Sequence, residues 1–130
     1  DTKFYKNALG METAPFGETH DSGDELPTQV ALRLDSGQLF RVERLRAPEC
    51  PTGLLQVYSP YFDAPDYREI SRPGYMGLSL YCFQVSDLAP VVDSLKRAGA
   101  QNLVTEFNEF GESSCVFVAP DGYTWCITGE

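Results

Sequence analysis

Apolar positions along this chain follow two periods. In residues 1–9, Phe4, Ala8 and Leu9 recur at helical spacing with Tyr5 beside them, and Gly10 stands where such a helix would exit. Residues 86–99 repeat the device. Leu88, Val91, Val92 and Leu95 form one apolar stripe, Ser86 or Asp87 can cap its start, Pro90 is tolerated in the first turn, and Gly99 ends it. Elsewhere the period drops to two. "QLFRVERLRA" (38–47) places Leu39, Arg41, Glu43 and Leu45 on one face and Phe40, Val42 and Arg44 on the other. "LSLYCFQV" (78–85) sets Tyr81, Phe83 and Val85 against Leu80, Cys82 and Gln84, and the strand 123–128 sets Trp125 and Ile127 against Thr124, Cys126 and Thr128. Residues 29–34, 102–107 and 113–119 read as further strands, and "METAPF" (11–16) as a short one.

Turn residues punctuate these runs. Asp35-Ser36-Gly37 is a three-residue hairpin signal, and Pro120-Asp121-Gly122 supplies a second tight turn. "GETHDSGDELP" (17–27) is polar and acidic and reads as a loop, so its His20 is taken as solvated rather than as a metal ligand. Residues 48–77 hold Pro48, Pro51, Pro60, Pro65 and Pro73 and read as a long connection, within which "GLLQVYSPYF" can form a short strand. A connection of this length acts as a pocket wall or lid, or packs against the body or a second subunit. Its tyrosines Tyr58, Tyr61, Tyr67 and Tyr75 are candidate mouth residues. The order is helix and three strands, then strand, helix and three strands. That is a repeat of architecture, weak at the level of residues, with no opening strand ahead of the first helix. The expectation is an α+β domain over 1–130, with module one at 1–47, the connection at 48–77 and module two at 78–130.

Composition narrows the partners. At 130 residues and 42% hydrophobic, the chain can build one ordinary core. No apolar run approaches the ~18 residues of a membrane span, and the opening residues read as an amphipathic helix rather than a signal peptide. A formal charge of −9 repels nucleic acid and anionic membranes, which argues against both as partners. It would attract a cationic small molecule, although a surplus of acids is more often simple solubility. Cys50, Cys82, Cys115 and Cys126 form no C-x-x-C pair and read as reduced thiols in a cytoplasmic protein. A lone loop histidine leaves no Ser-His-Asp or Cys-His system, and no glycine-rich phosphate loop is present.

"FYKNALGM", the hairpin ending "VERLRAP", "YCFQVSDLAPVVDSLKRAGA" and "VFVAPDGYTWCI", in this order and spacing, resemble the glyoxalase / bleomycin-resistance / ring-cleaving dioxygenase superfamily, the vicinal oxygen chelate fold. The resemblance spans nearly the whole chain. It implies paired βαβββ modules forming a curled mixed sheet around a cavity. Metal-using members take His, Glu or Gln ligands from the first and last strand of each module. Here the first of those positions has no counterpart, Glu43 matches the second, Leu80 stands where a His would sit, and Cys126 where a Glu would sit. Leu80 offers no donor, so the set is poor for a hard or borderline cation. Two thiols, Cys82 and Cys126, with Glu43 form a conceivable soft site, whereas buried structural cysteines explain the same residues more simply. Glu43 is a weak candidate for a general base, or an ion-pair partner of Arg41 or Arg44. The resemblance therefore implies a metal-free protein, a homodimer in drug-sequestering relatives, that binds an aromatic or cationic small molecule. Its pocket would be lined by Arg41, Glu43, Leu80, Cys82, Gln84, Thr124 and Cys126, with Tyr58 and Tyr61 at the mouth. No cofactor is expected. The alternative is a metal-dependent lyase, isomerase or dioxygenase.

Overall fold

The computed structural model describes residues 2–15, 20–21, 34–35, 37–48, 50, 53–66, 68–70, 73–74, 76, 80–107 and 112–129. Among them are two helices and two sheets, divided between two compact units. The expected strand over 29–34 lies almost wholly outside the described residues, as do Tyr67 and Tyr75.

The first unit joins helix α1 (Lys3–Leu9) to residues 66–130. Its second helix, α2 (Leu88–Arg97), starts where the sequence predicts: the Asp87 carboxylate accepts the Ala89 N–H at 3.1 Å. It ends in a Schellman motif. Ala100 N–H donates to Leu95 C=O, Gly99 N–H donates to Lys96 C=O, and Gly99 takes φ 81°, a conformation that suits glycine. Strands β5 (Tyr81–Gln84), β6 (Gln101–Phe107), β7 (Ser113–Val118) and β8 (Thr124–Gly129) form a sheet in the order β5-β8-β7-β6. β5 runs parallel to β8, and the other pairings are antiparallel. The sequence strand–helix–three strands thus closes into a βαβββ module. β6 shifts register against β7 between Gln101 and Val104, where Asn102 adopts a positive φ of 50°.

Both helices cover one face of this sheet. Leu88, Val92 and Leu95 of α2 are buried, as are Phe4, Tyr5 and Ala8 of α1. Trp125 lies at the centre, 4.8 Å between centroids from Tyr81, 5.4 Å from Phe83 and 5.3 Å from Tyr5, while Phe4 meets Phe117 at 6.1 Å. Each such side chain contributes on the order of 2 kcal/mol through burial. α1 packs with α2 and residues 66–130, because its aromatic stripe meets Phe117 and Trp125 there.

The second unit comprises Thr2 and residues 10–65. Its central strand is β3 (Phe40–Arg46), with β4 (Leu55–Pro60) antiparallel along its length. β1 (Glu12–Thr13) and β2 (His20–Asp21) pair with β3 at Leu45–Arg46 and at Arg41–Val42. Met11, Ala14, Phe40, Val42 and Leu45 are its buried apolar residues. One expectation changes here: the polar segment 17–27 contributes a strand at His20–Asp21 rather than being loop throughout. The short strand expected within 48–77 forms as β4, a full partner of β3. Gly37 takes φ 85°, and Gln38 N–H donates to Asp35 C=O at 3.1 Å, in keeping with the turn read from Asp35-Ser36-Gly37.

Candidate functional site

In the first unit, the sheet face turned away from the helices carries every position that alternates with the aromatic core. Register fixes its rows. Cys82 lies beside Cys126, Cys126 beside Val116, and Val116 beside Val104. One row along, Gln84, Thr128, Ser114 and Glu106 stand side by side. Leu80, just before β5, and Thr124 continue the face in the other direction. Leu80, Cys82, Gln84 and Val104 are exposed, Cys126, Val116 and Thr128 half-buried, and Thr124 buried. The surface combines apolar side chains with a few hydroxyl, amide and thiol groups and, at the β6 edge, the Glu106 carboxylate, a mixture from which small-molecule sites are built.

The two cysteines at its centre are direct neighbours in the β5–β8 register. Burial, reinforced by the neighbouring Cys82, pushes the Cys126 thiol above the ordinary thiol range. Cys115 is different. It is fully buried on the helix side of β7, and burial raises its pKa as well.

In the second unit, Arg41 and Glu43 share one face of β3. Arg41 is exposed, while Glu43 is buried and its Oε2 accepts the Thr2 hydroxyl at 2.6 Å. Tyr58 lies opposite Val42 in the β3–β4 register and packs on Phe40, centroids 5.7 Å apart, so it belongs to the face away from Glu43. Tyr61, which follows β4, donates its N–H to Leu39 C=O at 3.0 Å and is exposed.

The structure therefore brings Leu80, Cys82, Gln84, Thr124 and Cys126 onto one face of one sheet. Arg41 and Glu43 share a face in the other unit, and Tyr58 lies on the reverse of that strand. Sequence reasoning did not include Val116, Val104, Ser114 and Glu106, although the two-residue alternation in 102–107 and 113–119 would have pointed to them. It also missed Thr2, which no local pattern links to Glu43. A separate groove of about 530 Å³ lies on the helix side, between α1, α2 and the turn at Pro120–Asp121. There the Tyr5 hydroxyl donates to Asp121.

The donor chemistry does not suit a divalent cation of the kind metal-using members hold. Leu80 has no donor, Cys126 offers a soft sulfur in place of a carboxylate, and the Glu43 carboxylate accepts the Thr2 hydroxyl. Among the described residues, no group of three or more His, Cys, Asp or Glu side chains is placed to hold a metal.

No family model and no curated protein matches the sequence. Solved structures do match. The chain is similar to a glyoxalase family protein from Bacillus cereus, with 17% identity and a TM-score of 0.75 over 95% of this chain and 80% of that one. It is similar to a glyoxalase family protein from Enterococcus faecalis at 21% identity and a TM-score of 0.57, covering 98% and 84%. A glyoxalase I variant from Zea mays aligns at 16% identity and a TM-score of 0.62, covering 97% of this chain and 39% of that one. The chain thus has the glyoxalase fold, the architecture its sequence resembles. Identity at this level establishes architecture, and the chemistry has to be argued from the site. Among the described residues, no helix is long and apolar enough to cross a membrane.

Proposed function

We propose that this protein binds a small molecule, aromatic or cationic in character, against the helix-free face of the β5-β8-β7-β6 sheet, and that it does so without a hard or borderline divalent cation. The observation that carries this reading is the chemistry at the two positions where metal-using members of the fold place a His and a Glu. Both lie on that face, and they hold Leu80 and Cys126. An apolar side chain and a soft thiol favour contact with an organic ligand over ligation of a hard cation. The acidic charge of −9 supports a cationic ligand. In this reading the protein works as a homodimer, like the drug-sequestering members its sequence resembles.

One observation favours the enzymatic alternative: Glu43 is kept at a ligand position and is buried. Two measurements separate the readings. Elemental mass spectrometry on protein purified without chelator should find no stoichiometric zinc, iron, nickel or manganese. Calorimetric titration with a panel of planar aromatic cations should find a binder whose affinity falls at least about tenfold in Leu80→Arg, which buries a charge against the ligand. Stoichiometric divalent metal that disappears in Glu43→Gln would overturn the proposal.

A further inference from the structure

We infer that the Cys82–Cys126 pair is a binding site for one soft, two-coordinate metal ion, with the cuprous ion as the fitting occupant. The site lies on the face proposed for the organic ligand but stands on the two sulfur atoms alone. Cys82 and Cys126 are directly adjacent in the parallel β5–β8 register and project from the same face. Cys82 is exposed, so the pair can be reached from solvent.

The surroundings select the ion. The nearest side chains on the same face are Leu80 and Gln84 on β5, Thr124 and Thr128 on β8, and Val116 on β7. Among the described residues beside the pair on this sheet, none supplies an imidazole, a carboxylate or a third thiolate. A zinc ion, which takes four ligands, is left half-coordinated, whereas a cuprous ion is satisfied by two soft sulfurs. Reach agrees with this: side chains paired across neighbouring strands, ~4.8 Å apart at the backbone, can place two sulfurs on one ion. Neighbouring strands also stand within the roughly 4.4–6.8 Å Cα separation of a disulfide, so it is the reduced pair that takes the ion. Binding displaces the thiol protons, and the apolar walls of Leu80 and Val116 shield the product from water.

The test is anaerobic titration of the reduced protein with cuprous ion in competition with bicinchoninate. The wild type and Cys50→Ser should each withdraw one ion per chain from the chelator. Cys82→Ser and Cys126→Ser should each weaken that affinity by roughly 100-fold or more, because one sulfur alone cannot hold the ion against a chelator. Cys82 is exposed, so Cys82→Ser keeps the fold, checked by circular dichroism, and decides the matter even if Cys126→Ser does not fold. Copper left wholly with the chelator, or held as tightly by Cys82→Ser as by the wild type, overturns the inference. So does loss of binding in Cys50→Ser. None of these outcomes touches the ligand proposal, which is read by titration with organic cations.

Discussion

Tyr5 shows how a single hydroxyl ties a buried aromatic to a turn. Its ring is almost fully buried, in contact with Phe4 and Trp125, and its hydroxyl donates to the Asp121 carboxylate. Burial first, and then the bond to Asp121, raise its pKa well above the ordinary 10.0. The unfolded chain therefore releases this proton first. The contribution is fully present below about pH 10 and is lost as pH rises beyond it, at ~1.4 kcal/mol per pH unit for the one proton. Urea denaturation across pH 9–11 should show this loss in the wild type and a shallower slope in Tyr5→Phe. Thr2 makes a comparable bond in the other unit. Thr2→Val should cost about 1–3 kcal/mol in the same measurement, because it leaves the buried Glu43 oxygen without that donor. The side of β3 on which Glu43 lies was legible from alternation alone. Its partner was not, since Thr2 lies 41 residues away and only the folded chain brings the two together.

At the scale of elements, local chemistry was read best where a short motif closes its own hydrogen bonds. Asp87 and Gly99 bound α2 as the sequence predicts, and Pro120-Asp121-Gly122 forms its turn with Gly122 N–H donating to Ala119 C=O at 2.8 Å. Asp87→Ala should therefore lower stability by about 1 kcal/mol, the usual worth of such a cap, measured by thermal or urea unfolding. Gly122→Ala should cost more than that, ~1–2 kcal/mol from its φ of 90° alone. A Cβ there would also stand 2.7 Å from Cγ of Arg68, which must swing away. β4 was harder to read. Leu55 and Val57 alternate with polar neighbours, but prolines surround the segment, and whether it joins a sheet depends on the free edge of β3 rather than on its own residues. The placement of α1 was illegible for the same reason. An amphipathic helix announces an apolar stripe without saying which sheet will cover it.

For the whole molecule, the face that forms the candidate site was legible as alternation, and its centre was not. Period two puts Cys82 and Cys126 on the same side of their strands, but their adjacency depends on β5 lying parallel and in register beside β8. Net charge is a property of the entire chain and carries the final prediction. A charge of −9 attracts a cation over distances comparable to the ~8 Å screening length at physiological salt. If the face holds a cationic aromatic compound, affinity measured by calorimetry should fall several-fold between about 0.02 and 0.5 M salt. A neutral compound of the same shape should change little, because its binding comes from the apolar surface of Leu80, Val104 and Val116. Equal insensitivity of both compounds would mean that the acidic surface serves solubility alone, and that the face selects its ligand by shape and apolar contact.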